Sequence, residues 1–212
     1  VFVWMFIALS LSAIFAYFFS VDQGLLSFLV NFETGKMTTL GTITMFAPLA
    51  FVMLMSFGLN RLSYPVLAIL FAVYAAVTGV SLSFILLVYT ASSVLTCFIS
   101  AAVLFGVMAV AGYTTQQDLT KFGSLLMMFL IGVVIASLVN FFLKSSQLDY
   151  IISFVGVAVF VGLTAYDVQK LQRLGEGLAY GDASANTMVL MGALTLYLDF
   201  INLLLMLLRL FG

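Results

Sequence analysis

The chain is a succession of apolar runs, each about 17 to 25 residues long and nearly free of charge. They occupy residues 1–20, 42–58, 66–89, 94–111, 122–143, 148–171 and 187–211, separated by polar joints. As a helix, each run matches the roughly 30 Å of a bilayer's hydrocarbon core. The composition is 65% hydrophobic and 7% charged, against about 25% charged in ordinary globular chains. A soluble core of this size could not hide that much apolar surface, so the solvent is lipid. The reading is an all-α integral membrane protein, a seven-helix bundle forming a single membrane domain over residues 1–212. Most joints are short, so neighbouring helices pack antiparallel.

The joints refine this picture. Residues 21–40 are mixed: Asp22, Glu33, Gly35 and Lys36 break up an apolar patch at 25–30 that is too short to span. This stretch reads as an interfacial or re-entrant piece. Pro65 opens the third run, where its missing N–H would be unpaired in any case. Residues 94–111 are rich in Ala, Ser and Gly, which lets helices approach closely. Residues 112–121 form the clearest loop, and residues 172–186 the loop before the last run. The opening Val-Phe-Val-Trp lacks a Met, so the natural start is expected to lie upstream. The first run has no basic segment before it and is longer than the apolar part of a signal peptide, so it reads as a span with Trp4 as an interfacial anchor. Seven spans put Arg61, Lys121, Lys170 and Arg173 on the side of the N-terminus and Lys36, Lys144 and Arg209 on the other. The excess of basic residues favours a cytoplasmic N-terminus.

Several chemistries are excluded. The chain has no histidine, which removes histidine-ligated zinc hydrolysis and both Ser-His and Cys-His catalysis. Its single cysteine, Cys97, can form no internal disulfide and reads as a small buried apolar side chain. The basic residues are scattered singly, with no tract for nucleic acid. The last run has no lysine for a retinal Schiff base.

Two aspartates stand out against this background. Asp167 lies in the sixth run and Asp199 in the seventh. A charge inside a membrane helix costs about 2.5–3.5 kcal/mol on insertion scales, so such residues usually face a partner or a water-filled path. Measured from the loop joining the two helices, Asp167 sits about 10 Å in and Asp199 about 18 Å in. With helix tilts near 20° the two can lie at similar depth and meet. Carboxylates within hydrogen-bond reach share a proton and titrate in two separated steps. Losing that proton leaves two like charges, so the pair can act as a pH-dependent latch, and when ionised it can attract Ca²⁺ in transit. Asp167 can instead pair with Lys170, and Asp199 can bond neighbouring Tyr and Asn side chains. Arg61, at the membrane edge, is the candidate counter-charge to Asp167, or else a turn residue that sets orientation. Asn140, Tyr166, Tyr197 and Asn202 either line a path or join helices by hydrogen bonds.

The segments Gly162-Leu163-Thr164-Ala165-Tyr166-Asp167, followed by Gln169-Lys170-Leu171, and Leu196-Tyr197-Leu198-Asp199-Phe200-Ile201-Asn202-Leu203 resemble the two signature segments of the Bax inhibitor-1 family. That family is also called the transmembrane Bax inhibitor motif or lifeguard family, and its bacterial branch is the nearest in look. The resemblance extends to the loop from Gly112 to Thr120, to the ending Leu207-Leu208-Arg209-Leu210-Phe211-Gly212, and to the number and order of spans. It implies a bundle whose seventh helix is central and wrapped by the other six. It also implies a pH-sensitive calcium leak, with the family's di-aspartyl sensor on Asp167 and Asp199 and its second-helix arginine on Arg61.

Two functions of different class follow. One is a calcium-permeable leak gated by protonation of Asp167 and Asp199, with the calcium ion as permeant, protons as effector and no cofactor. The other is a membrane-embedded regulatory protein of stress response or membrane-protein quality control, which binds protein partners through residues 172–186 and carries ions incidentally. An enzyme is not expected. Only an aspartyl protease with two membrane aspartates is left, and Asp199 follows Leu196-Tyr197-Leu198 rather than the glycines of the presenilin-like pattern. The expected location is a bacterial inner membrane.

Overall fold

The structure, a computed structural model, describes residues 1–58, 63–176 and 183–212. These residues form helices apart from one small hairpin. Six helices are long and apolar enough to cross a membrane: α1 (Phe2–Val21), α4 (Tyr64–Val88), α5 (Ala91–Thr114), α6 (Thr120–Leu143), α7 (Ser146–Glu176) and α8 (Ala183–Phe211). The short α2 (Gln23–Ser27) follows α1, and α3 (Thr39–Gly58) precedes α4. In α3 the apolar stretch with described side chains, Thr39–Met53, is shorter than the six spans, and Pro48 lies inside the helix. The chain is an integral membrane protein: large apolar side chains such as Phe6, Ile69, Val103, Met128 and Phe154 lie on its surface, where only lipid can cover them.

Contacts divide the chain into two compact units, Val1–Thr90 with Tyr180–Leu194, and Ala91–Ala179 with Thr195–Gly212. In the first, α1 packs on α4 through small side chains. Met5, Ala8, Ser12 and Ala16 recur at helical spacing and are buried, as are Phe71, Tyr74, Ala75 and Gly79 of α4. The Ser12 hydroxyl donates to the Ala75 carbonyl at 2.7 Å, and a Cβ on Gly79 would strike the Ser12 backbone. Between α1 and α3 runs the piece expected to be interfacial. Asp22 caps α2, its carboxylate accepting from the N–H of Gly24 at 2.8 Å and of Leu25 at 3.1 Å. The hairpin β1 (Val30–Asn31) and β2 (Lys36–Met37) pairs Val30 with Met37 and Asn31 with Lys36. Its turn is closed by the Asn31 side chain, which accepts from Glu33 N–H at 2.9 Å, and by Gly35 at φ +65°.

In the second unit α5 and α6 both pack on α7, again where glycine removes a side chain. A Cβ on Gly112 of α5 would fall on the backbone of Ala165 of α7, and one on Gly123 of α6 would enter the Tyr166 ring. Phe200 of α8 meets the ring edges of Phe98 and Phe105, at centroid distances of 5.5 and 5.7 Å. The α6–α7 joint is tight because Lys144 adopts a left-handed conformation at φ 51°. Two boundaries differ most from the sequence reading: α7 runs on to Glu176, beyond residue 171, and α8 begins at Ala183, before residue 187. Both extensions are polar, so hydropathy does not register them. The loop expected at 112–121 shrinks to residues 115–119.

Gly112→Ala should lower the thermal midpoint of the detergent-solubilised protein, since overpacking costs about 1–3 kcal/mol. Gly132→Ala, whose Cβ would have nothing within 4 Å, should leave the midpoint unchanged or raise it through helix propensity. A fluorescence melt of the two variants beside the parent checks the contrast.

Candidate functional site

Asp167 on α7 and Asp199 on α8 belong to the same unit, and both are buried, at 9% and 5% exposure. Their carboxyl groups are hydrogen-bonded to each other. The helix register explains the meeting. Asp199 sits among the buried residues Leu196, Tyr197, Phe200 and Leu203, and Asp167 beside Leu163, Thr164 and Val168, so each carboxyl is enclosed in largely apolar surroundings. Asp199 Oδ2 is buried without a hydrogen-bond partner among the described residues. A hydrogen bond between two carboxyl groups needs a proton on one of them, so the pair can hold one proton and has one further acceptor oxygen free.

Lys170, one turn after Asp167 and exposed, acts electrostatically on Asp167. Its Nζ lies 5.9 Å from the centre of the Tyr166 ring. Arg61, the expected counter-charge, lies outside the described residues. Asn140 closes the end of α6, its side-chain oxygen accepting from Ser145 N–H at 3.0 Å. Asn202 turns back on its own helix, donating to the Leu198 carbonyl at 2.9 Å. Tyr197 is completely buried, and Tyr166 fills the space that Gly123 leaves on α6. Among the described residues no three His, Cys, Asp or Glu side chains gather as a metal cluster. Ca²⁺ takes about six to eight oxygens, more than two carboxylates supply.

Sequence reasoning missed the second polar layer, two residues beyond Asp167. Gln169 is buried and clamps the α5–α6 loop. Its amide donates to the Gln117 carbonyl at 2.7 Å, and its oxygen accepts from Leu119 N–H at 2.9 Å. One turn on, Arg173 bridges to Asp118 at 2.6 Å and donates to the Thr120 hydroxyl at 3.3 Å. Hydrogen bonds from Thr120, then from Arg173, hold the Asp118 carboxyl down at about 2. The available signal was the spacing: Gln169 and Arg173 stand four apart and so share a helix face.

Over residues 1–212 the chain matches the family described as inhibitor of apoptosis-promoting Bax1. It is similar to the inner membrane protein YbhL of Escherichia coli strain K12, with 47% identity over 99% of this chain and 88% of that protein. It is also similar to an uncharacterized protein of Rickettsia prowazekii, 46% identical over 85% of this chain and 75% of that protein. An uncharacterized membrane protein of Streptococcus pyogenes is 40% identical over 73% of this chain and 67% of its own length.

Two outcomes are expected of the loop clamp. Gln169→Leu leaves a backbone N–H and a carbonyl without partners and should speed trypsin cleavage after Lys121, read by mass spectrometry against the parent. For Asp118 the folded carboxyl ionises at about 2, below its ordinary value of 3.8. Its contribution to the loop is therefore present above the ordinary value and lost as pH falls towards 2. Carboxyl NMR titration should find that low midpoint in the parent and a higher one in Thr120→Ala and Arg173→Gln.

Proposed function

This chain belongs to the Bax inhibitor-1 family, and from that membership and its buried aspartate pair we propose that it is a pH-sensitive calcium leak of a bacterial inner membrane. Asp167 and Asp199 are its gate. The observation that carries the reading is the hydrogen bond between two carboxyl groups on apolar helices, with one oxygen of Asp199 left over. Such a pair is costly within lipid, and it provides what a proton-operated latch needs. With one shared proton the carboxyls tie α7 to α8. Without it, two like charges repel across the contact, and the ionised oxygens can take a passing Ca²⁺ in place of some of its water. Proton occupancy thereby shifts the population of the conducting state.

The proposal extends to the architecture. Seven spans, with α3 as the second and α8 as the central one, fit the heavy burial of α8: 61% of its apolar window is enclosed, against 6% for α6. The N-terminus then lies in the cytoplasm.

Purified protein in liposomes loaded with a calcium dye should pass calcium at a rate that varies between about pH 6 and about pH 8. Asp167→Asn and Asp199→Asn should flatten that variation. Unchanged pH dependence in both variants would remove the latch. No flux above empty liposomes at any pH would favour the regulatory, partner-binding role, which a pull-down that survives both substitutions would support.

A further inference from the structure

The turns of α7 beyond Asp167 and the start of α6 enclose a cavity of about 250 Å³, lined by Thr120, Tyr166, Gln169, Lys170, Arg173 and Leu174. Three sources of positive potential converge on it. Lys170 and Arg173 stand three apart on one face of α7. The third is the N-terminus of the 24-residue α6, which begins at Thr120 and carries the positive end of the helix dipole, although the Thr120 N–H already donates to Asp118 at 3.0 Å. Asp118 engages Arg173 through Nη1, and a guanidinium with five N–H donors keeps others for a second anion. The cavity sits where two spanning helices reach the end of their apolar stretch, the level of lipid headgroups. It also has an apolar edge: Leu174 in its wall is exposed. That combination suits a phosphate still attached to acyl chains better than a free one.

We propose that this cavity binds the phosphate of an anionic lipid headgroup, held by Lys170 and Arg173 against the start of α6. Tyr166 forms the wall on the side of the aspartate pair, and the acyl chains leave along Leu174. Asp118 competes with the headgroup for Arg173, so the site is tuned by an acid as well as by two bases. Binding here requires nothing of calcium conduction and is read without calcium.

The test is a titration of the full chain in neutral detergent with fluorescent phosphatidylglycerol, followed by polarisation, with fluorescent phosphatidylcholine as reference and inorganic phosphate as competitor. Phosphatidylglycerol should bind more tightly than phosphatidylcholine. Lys170→Gln and Arg173→Gln should each weaken it about fivefold, as expected for one basic residue near a membrane surface. Asp118→Asn should tighten it by releasing Arg173, a gain that damage to the fold cannot produce. Equal affinity of the parent, Lys170→Gln and Arg173→Gln for phosphatidylglycerol would overturn the site, as would weaker binding by Asp118→Asn. Inorganic phosphate that binds the parent without lipid, and displaces phosphatidylglycerol as it does so, would overturn the lipid in favour of a free anion.

Discussion

Hydrocarbon cannot hydrogen-bond, and this structure is shaped by what that forbids. Every backbone N–H and C=O inside the bilayer must be satisfied by the chain itself, so the spanning segments are helices and the one hairpin belongs to the polar stretch after α1. Lipid also gives little hydrophobic drive for helix to meet helix, which leaves close packing and buried polar contacts to do it. Both are present. Gly79 admits the backbone at Ser12, and Gly112 that at Ala165. The Ser12 hydroxyl reaches the Ala75 carbonyl, and the Ser81 hydroxyl the Thr44 carbonyl. The aspartate contact is the costliest member of the same class, since it buries two ionisable groups.

Much of this was legible in the sequence because its signals are local. The spans follow from uninterrupted apolar runs, and Pro65 marks the start of α4 as expected. The aspartates could be brought together by counting residues from a shared loop, since helical rise is constant. What escaped depends on distant or very short elements. Two-residue strands such as Val30–Asn31 show no alternation to detect. Gln169 binds backbone groups about fifty residues away, and a backbone N–H or carbonyl leaves no trace in residue identity. Asn140 and Asn202 suited a polar path as well as a structural role. Both amides make short-range bonds, to Ser145 and to Leu198, because an unsatisfied amide in this setting costs more than a local bond.

The two polar layers of α7 differ in kind. The Gln169 clamp is neutral, so neither pH nor salt should alter it. The Arg173–Asp118 bridge is charged but exposed, with the acid held ionised by its neighbours. The Asp167–Asp199 contact is buried and joins two ionisable groups. Within a few residues of helix the chain therefore carries one contact indifferent to its surroundings, one sensitive to acid only near pH 2, and one made of two buried carboxyl groups.

The placement of Gln169 has a mechanical consequence. Two residues along an α-helix is a rotation of about 200°, so Gln169 and Asp167 grip α7 from opposite sides. On one side the helix is riveted to the α5–α6 loop by an amide that has no protonation state to change. On the other it meets α8 through a pair that does. α7 is therefore held from two sides by contacts of different kind, one without an ionisable group and one made of two carboxyl groups, while α8 is held further by Phe200 against the rings of Phe98 and Phe105.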